Sequence, residues 1–388
     1  MSHQPLLFWL GSFAQLSQAE LNSVLPDVEW QKITPQILAT TNDLPLTSDQ
    51  LINRLGGIVK ILRQIELIDV TTTPELETKI VDYLSRSGDH KINFAITGLD
   101  RDHLEPISPK TIKDKLTDQG IKSRFVDSGE NGLSSAVWSH HKVTEIVCIH
   151  LPSTNQTLLA ETIACQNVDD WTLRDRGKPY VSSSKGLLPP KLARIMVNLA
   201  VGPKPSQNST LVDPFSGSGT VLMEALTVGV SRVIGSDADQ EAVQDTQRNL
   251  AWFAQAVPHS NKIGEFDTML ADATHLTLTQ PVEYLVTEPF MGKARFQPPQ
   301  IPGIVKGLQK LYLGAFKNWT QFLAPGTKVV FVFPSFVTDS GQNIDTASEL
   351  LDKLAMLGYT LTSGKLDYSR PQAGVIRQIY QFVYQKTK

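Results

Sequence analysis

In the second half of the chain, short apolar runs alternate with segments whose apolar residues recur every three to four positions. This alternation predicts buried strands separated by helices, the pattern of a parallel sheet covered by helices. The predicted strands end at or near acidic residues, namely Asp213, Asp237, Asp272 and Glu288. Asp239 is placed to cap the helix that follows the second of these strands. Further helices are predicted over about residues 305–323, stopped by Pro325-Gly326, and over 346–357.

The end of the chain has a different pattern. A buried strand is predicted over residues 328–334, and two more over about 361–368 and 376–384. The loop between the last two is too short for a crossover, so these strands must pair antiparallel. Residues 201–388 are therefore expected to form an α/β domain with a mostly parallel, doubly wound sheet that ends in an antiparallel hairpin.

The first part of the chain mixes strand-like and helix-like segments without a regular alternation. Strands are predicted over residues 6–10, 57–64, 92–97, 124–126 and 146–151. Helices are predicted over residues 74–86 and 108–119, and a third is expected to begin at Ser17, with Glu20 completing a capping box. The helix over 108–119 and the residues after it are rich in lysine, which suits either a solvated helix face or an RNA-facing surface.

Between these two parts lies a basic stretch. From Trp171 to Ala200 there are six basic residues and one acidic residue. Glycine, proline and serine argue against regular structure up to Pro190, which suits the first position of a helix. The concentrated charge suits contacts with phosphate, although it is equally typical of a soluble linker. The candidate phosphate contacts are Arg174, Arg176, Lys178 and Lys185.

Composition narrows the class of protein. A chain of 388 residues allows about two to three domains, and 41% hydrophobic with 19% charged residues is typical of a folded globular protein. The net charge of −3 means that binding a nucleic acid requires local basic patches. Two cysteines are too few for a disulfide framework or a zinc site, so no metal is expected. The apolar opening is interpreted as a first strand rather than a signal peptide, and no run is long enough to span a membrane. A cytoplasmic protein is expected.

The stretch LVDPFSGSGTVLME, residues 211–224, carries the clearest chemical signal. It predicts a buried strand, a tight turn through Gly217 and Gly219, and the first turn of a helix. Such a turn brings backbone N–H groups close to a ligand, as nucleotide-binding loops do. Alone, this shape does not distinguish one nucleotide from another.

Two neighbouring features favour S-adenosylmethionine over a nicotinamide dinucleotide. The third glycine of the dinucleotide fingerprint is replaced by Leu222, and Asp213 stands before the turn, where it would repel a pyrophosphate and hold a cationic amino-acid group. Asp237 lies 18 residues after Gly219, where a ribose-binding carboxylate is expected. Asp272 suits an adenine amino group, although both acids are also compatible with ordinary caps and loops.

The motifs DPFSGSGT, GSDAD, LADAT and TEPFMG resemble the motif series of amino-methylating class I methyltransferases. The linker, RDRGKP through KGLLPPKLARIMVNLA, is similar to that of THUMP-containing tRNA guanosine-10 N2-methyltransferases and their bacterial relatives. RLGGIVKI and SRFVDSGENGLSSA also resemble the N-terminal part of that family. The resemblance implies three regions: a THUMP-type α+β RNA-binding region over residues 1–165, a basic linker and helix over 166–200, and a Rossmann-like class I methyltransferase domain over 201–388.

The resemblance implies methylation of the exocyclic amine, N2, of a guanosine in tRNA, with S-adenosylmethionine as cofactor. It also implies a monomer that requires no protein partner. The residues that would hold the cofactor are Asp213, Phe215, Gly217, Gly219, Thr220, Asp237 and Asp272. The family's catalytic motif is Thr-Asp-Pro-Pro-Tyr-Gly, whereas this chain has Thr-Glu-Pro-Phe-Met-Gly at residues 287–292.

The altered motif retains the groups that the chemistry needs. The carboxylate of Glu288 and the carbonyl of Pro289 can accept the amine's hydrogen bonds, and Phe290 can stack against a base that has left its helix. Three alternatives stay open: another tRNA or rRNA position, adenine in DNA, and an RNA-binding protein with weakened catalysis. Arg370 and Arg377, near the last loop, are expected either to contact RNA phosphate or to be solvated.

Overall fold

A computed structural model describes most of the chain, and its residues form two compact units. The described residues are 4–69, 72–86, 88–99, 106–129, 132–180, 187–256, 263–280, 282–292, 297–338, 341–370 and 373–386. One unit contains Met1–Ala14, Asp27–Arg54 and Ile58–Asp169. The other contains Gln15–Pro26, Leu55–Gly57 and Asp170–Lys388. Two short early segments thus belong to the unit that is otherwise formed by the C-terminal part of the chain.

The strands are numbered in chain order. They are β1 Leu6–Leu10, β2 Gln31–Thr34, β3 Ile37–Thr40, β4 Ile58–Ile68, β5 Lys91–Leu99, β6 Lys122–Phe125, β7 Thr144–Leu151, β8 Gln156–Cys165, β9 Thr210–Asp213, β10 Arg232–Asp237, β11 Glu265–Leu270, β12 Val282–Thr287, β13 Leu323–Val337, β14 Asn343–Asp345, β15 Tyr359–Leu361, β16 Leu366–Tyr368 and β17 Val375–Tyr384.

The helices are numbered in the same way. They are α1 Ala14–Val24, α2 Ser48–Arg54, α3 Thr73–Ser85, α4 Pro109–Asp118, α5 Ser135–His141, α6 Val168–Arg176, α7 Pro190–Val201, α8 Thr220–Val228, α9 Gln240–Ala256, α10 Ile301–Trp319 and α11 Leu351–Met356. Among the described residues, no helix combines the length and apolar character that crossing a membrane would require.

The first unit is built on an eight-stranded sheet in the order β2-β3-β1-β4-β8-β7-β5-β6. Strand β5 runs parallel to both neighbours, and the remaining pairs are antiparallel. Helices α3 and α4 pack on one face through a common apolar cluster that includes Leu76, Ile80, Phe94 and Ile112. Every strand predicted in this region is present, whereas β2, β3 and β8 were not predicted.

A buried ion pair connects the middle of that sheet. The Lys60 ammonium lies 2.7 Å from both carboxylate oxygens of Glu145, and neither side chain is exposed to solvent. Thr97 and Thr162 donate their hydroxyls to the same carboxylate, and so does the backbone N–H of Leu133. The network therefore connects four strands with the segment that follows residue 131, which keeps a buried charge fully hydrogen-bonded.

The second unit has the sheet order β11-β10-β9-β12-β13-β17-β15, with β14 paired to β13 and β16 paired to β17. Strands β9 to β13 are mutually parallel, whereas β17 runs antiparallel to β13. The chain places β10 and β11 on one side of β9 and β12 and β13 on the other. Strands β9 and β12 therefore flank the point where the direction of sheet growth reverses. This architecture confirms the predicted Rossmann-like sheet with its antiparallel ending.

Several boundaries differ from those predicted. Helix α10 begins at Ile301, earlier than expected, because proline is tolerated in a first helical turn. Strand β13 continues through Pro325 and Gly326, which were expected to stop a helix. Helix α11 is limited to six residues. The strand predicted over 361–368 divides into two short strands, β15 and β16, which both pair with β17.

The capping box expected at Ser17 and Glu20 is wrong, since α1 begins three residues earlier, at Ala14. Both residues instead bind the segment at Gly57. The Ser17 hydroxyl donates to the Gly57 carbonyl, and the buried Glu20 carboxylate accepts from the N–H groups of Gly56 and Gly57, each at 2.8 Å. Asn198 donates to Glu20 at 2.6 Å. A Cβ at position 56 would lie 2.4 Å from a backbone oxygen of α7, so only glycine fits there.

The basic stretch is also more regular than predicted. Helix α6 extends to Arg176, and Arg174 is only 2% exposed. Its Nε lies 2.9 Å from one oxygen of Glu224, and the Nη2 of Arg194 lies 2.6 Å from the other. The expectation that Arg174 contacts RNA is therefore wrong for this structure, because its charge is used inside the unit. The predicted start of α7 at Pro190 is confirmed.

Glu224→Gln is expected to lower the free energy of unfolding by about 3–5 kcal/mol, because it removes the charge that two buried guanidinium groups share. Chemical unfolding followed by circular dichroism measures the change. Asp267→Asn is the control, since it breaks the exposed pair with Arg232 in the same unit and should cost at most about 1 kcal/mol. Equal losses in the two variants would contradict the prediction.

Candidate S-adenosylmethionine site

The glycine turn has the predicted geometry. Strand β9 ends at Asp213, and α8 begins at Thr220, directly after Gly219. Gly217 and Gly219 have φ values of 52° and 80°, in the left-handed region that favours glycine. A Cβ at Gly219 would lie 3.1 Å from a methyl carbon of Thr246 on α9. Glycine therefore allows both the turn and its close approach to the neighbouring helix.

Three acidic residues meet at the carboxyl edge of the sheet, where β9 and β12 flank the reversal of strand order. Asp213 ends β9, Asp237 ends β10 and Glu288 directly follows β12. The Thr287 hydroxyl donates to Asp213 Oδ1 at 2.6 Å, and the Gly217 N–H donates to Asp237 Oδ2 at 3.1 Å. This is the position in open α/β sheets where ligands bind.

Asp213 is the most deeply buried of the three, with 2% exposure. Burial raises the pKa of its carboxyl to about 7, and the charges of Asp237 and Glu288 add to that rise. Hydrogen bonds from Thr287 and the Phe215 N–H lower the pKa but do not outweigh burial. A cation placed against this carboxylate would relieve the cost of ionising it.

Asp272 lies two residues beyond β11 and is exposed. Its Oδ1 accepts from the N–H and the hydroxyl of Thr274, each at 2.8 Å, and these bonds lower the pKa of the carboxyl. Asp239 accepts from the Glu241 N–H, which confirms it as the cap of α9. Asp272 thus stabilises its own turn and keeps its charge at the sheet edge.

The turn after β12 is held from two sides. Glu288 Oε1 lies 2.5 Å from Nε of Arg377, and the Tyr312 hydroxyl donates to the Phe290 carbonyl at 2.7 Å. Pro289 is buried, whereas Phe290 is 57% exposed. Both sequence interpretations of Arg377 are wrong, because its guanidinium pairs with Glu288. Arg370 is exposed, and its two interpretations stay open.

Lys178, a predicted phosphate contact, is buried in the structure. It is 4% exposed, and its Nζ donates to the hydroxyls of Ser218 and Thr220 at 3.0 and 2.9 Å. Burial lowers the pKa of this ammonium to about 8. The expectation of an RNA contact at Lys178 is therefore wrong, since its charge is turned toward the glycine turn. The Arg176 side chain is 85% exposed, and Lys185 lies outside the described residues.

Sequence reasoning missed Tyr312 and Asn249, and it missed the partners of Thr287 and Arg377, all of which hold these loops. Asn249 accepts from the Tyr180 N–H and donates to the carbonyls of Tyr180 and Ser218. One signal could have revealed the pairing of Arg377: it is a charged residue within a predicted strand, 376–384, that is otherwise uncharged. The others carry no local signal, because their partners are distant in the chain.

The residues of this site fit S-adenosylmethionine. The turn offers backbone N–H groups, the buried Asp213 carboxylate favours a cation, and Asp237 stands where a ribose is held. The fold and site define a class I S-adenosylmethionine-dependent methyltransferase. Residues 180–335 match the family UPF0020, which is described as an RMKL-like methyltransferase domain.

Solved structures share the fold along nearly the whole chain. TrmN from Thermus thermophilus aligns with a TM-score of 0.56 and 16% identity over 98% of this chain and 100% of that one. SMU.472, crystallised with SAH, aligns with a TM-score of 0.56 and 12% identity over 100% of both chains. A predicted N6-adenine-specific DNA methylase from Listeria monocytogenes aligns with a TM-score of 0.54 and 13% identity over 99% of this chain and 96% of that one. No curated protein matches the sequence significantly.

Lys178→Met is expected to weaken binding of S-adenosylhomocysteine about tenfold, because the hydroxyls of Ser218 and Thr220 lose a charged donor worth about 1.5–3 kcal/mol. Isothermal titration calorimetry measures the affinity. Arg176→Met is the matched control, since it removes an exposed charge two residues away. Unchanged affinity in Lys178→Met would show that the turn does not depend on this ammonium.

Proposed function

We propose that this methyltransferase acts on the exocyclic amine of a nucleobase, and specifically on N2 of the guanosine at position 10 of tRNA, the position that the family resemblance implies. The observation that carries the proposal is the Glu288-Pro289-Phe290 turn, which follows β12 beside the glycine turn. It combines two acceptors with an exposed aromatic ring at the ligand-binding edge of the sheet. An amine attached to a flat ring requires this combination.

The chain's own residues supply orientation. S-adenosylmethionine supplies an activated methyl group when it is bound. The lone pair of an aromatic amine is delocalised, so the enzyme must hold the nitrogen in line rather than remove a proton from it. The Glu288 carboxylate and the Pro289 carbonyl accept the amine's two N–H groups, and Phe290 stacks on a base that has left its helix.

We assign the cofactor-binding residues from their places at the carboxyl edge of the second sheet. Asp213 holds the ammonium of the amino-acid group, and the turn from Phe215 through Gly217 and Gly219 to Thr220 surrounds that group. Asp237 accepts from the ribose hydroxyls and Asp272 from the adenine amine. The positions of Asp213 and Asp237 on neighbouring strands support this assignment.

The first unit and the basic stretch would bind the tRNA. We assign residues 1–165 to a THUMP-type RNA-binding region, 166–200 to the linker and 201–388 to the catalytic domain. Four exposed basic residues on α4 and β6 support this role: Lys110, Lys113, Lys122 and Arg124. The exposed Arg176 supports it as well. Such residues contact phosphate and position the RNA without reading its sequence.

A second candidate is methylation of N6 of adenine. The Listeria monocytogenes neighbour is described as a predicted enzyme of that specificity, and its fold matches this chain from end to end. The chemistry at Glu288 would be the same, because that substrate also presents an aromatic amine. The product therefore distinguishes the two candidates.

The cofactor assignment predicts a pH dependence. Because burial raises the pKa of Asp213 to about 7, its carboxylate becomes fully ionised only above that pH. An ammonium binds the ionised form, so affinity for S-adenosylhomocysteine should rise between pH 6 and pH 8. Calorimetry across that range measures the rise, and Asp213→Asn should abolish it. A rise that persists in Asp213→Asn would assign it to another group.

The substrate assignment predicts a specific product. Unmodified tRNA incubated with enzyme and S-adenosylmethionine should yield N2-methylguanosine on digestion and mass spectrometry. Glu288→Gln should lower kcat/KM by about 10²–10³-fold, the scale of losing an oriented electrostatic contact. Glu283→Gln changes an exposed residue of β12, the strand that precedes Glu288, and should retain activity. Methyladenosine as the product would favour the second candidate, and no product in tRNA or in DNA offered in a parallel assay would reject both.

A further inference from the structure

The ion pair between Glu288 and Arg377 links the residue that follows β12 to β17, and these two strands are not neighbours in the sheet. Arg377 lies on β17, and β13 stands between that strand and β12. Nonetheless, Nε of Arg377 lies 2.5 Å from Oε1 of Glu288, and the side chains are 13% exposed for Arg377 and 10% exposed for Glu288. In register, Arg377 faces Pro334 of β13 on one side and Tyr368 of β16 on the other.

The surroundings make the carboxylate of Glu288 difficult to ionise. Burial raises its pKa, and the charge and hydrogen bond of Arg377 oppose that rise most strongly. Arg370, on the segment before β17, contributes a weaker favourable charge. Two further groups face it: the Asp213 carboxyl at the end of β9 and the Tyr312 hydroxyl on α10. Arg377 is thus the main group that favours the ionised form.

The geometry also separates the two oxygens of the carboxylate. Nε of Arg377 donates a hydrogen bond to Oε1. Within the described part of the chain, no donor hydrogen-bonds to Oε2. The hydrogen bond from Arg377 and the burial of the side chain restrict the carboxylate, so its second oxygen stays available as an acceptor in a limited range of directions. Accepting an N–H from a substrate requires such a restricted acceptor.

We propose that Arg377 is a positioning residue, which holds Glu288 ionised and directs its free oxygen toward the substrate amine. This inference rests on the proposed function, because it assumes that Glu288 accepts from the amine. Arg377 itself acts through Glu288 and does not contact the reacting atoms. The longer side chain of glutamate, where the resembling family has aspartate, is then matched by a partner that fixes its position.

The pH profile of the reaction tests the proposal. In Arg377→Met, the acid limb of kcat/KM should move to higher pH by about one unit, the lower end of the shift expected for a lost opposite charge. Activity should therefore fall about tenfold on the acid limb and recover at alkaline pH. Arg377→Lys should restore part of the loss, and Arg370→Gln, the matched control, should shift the limb much less. A loss in Arg377→Met that is equal at all pH values would overturn the proposal.

A second measurement does not need activity. Because burial raises the folded-state pKa of Glu288 above the unfolded value, ionisation destabilises the folded state as pH rises through that window. Removing Arg377 raises the pKa further. The Tm difference between wild type and Arg377→Met should therefore be small at acid pH and grow as the pH rises, and adding Glu288→Gln should remove the growth.

The two measurements separate the inference from the proposed function. If the wild type makes no methylated nucleoside but the Tm difference grows as expected, the proposed function fails and the control of Glu288 by Arg377 stands. If the wild type is active and the Tm difference does not change with pH, the positioning role is overturned. A variant that does not fold is replaced by Arg377→Lys, for which both shifts should be smaller and have the same sign.

Discussion

The crowding of negative charge at one edge of the second sheet is the constraint on which this structure depends. Parallel strands bring their carboxyl ends together, and here Asp213, Asp237 and Glu288 share a small, mostly buried region. Like charges in such a place repel strongly. Each acid is stabilised by a different device: Asp213 by a hydroxyl, Asp237 by a backbone N–H and Glu288 by a guanidinium. A ligand with positive charge completes the balance, which explains why this edge suits a sulfonium cofactor.

Positive charge in the basic stretch serves the interior as well as the surface. Arg174 and Lys178, two of the basic residues in this stretch, are both buried. One pairs with Glu224 under the glycine turn, and the other binds hydroxyls within that turn. The stretch before α7 is thus part of the cofactor site's support. Any RNA contact made by this part of the second unit must come from its exposed residues, such as Arg176.

Local patterns predicted most of the fold and the centre of the site. Apolar runs ending in acids located β9, β10 and β12, and two glycines located the turn, because such features involve residues a few positions apart. The errors arose where distant residues decide the outcome. Ser17 and Glu20 have the spacing of a capping box, yet they bind residues about 40 positions away. Glu288 and Arg377 are 89 positions apart, and no local rule pairs them. A charge count alone likewise does not distinguish a buried arginine from an exposed one.

The second unit also imposes an order on its own assembly. Helix α1 leaves the ribosome early, but the Glu20 carboxylate in it is bound by Asn198, 178 positions later. Contacts of such sequence separation form slowly, because a long loop must close first. Most of the residues between α1 and Asn198 belong to the first unit. That unit can therefore fold before α1 binds Asn198, since domains generally fold as units. Expressing residues 170–388 alone would omit this helix and with it the Glu20 carboxylate to which Asn198 donates. The second unit is thus compact in space, although three separate segments of the chain form it.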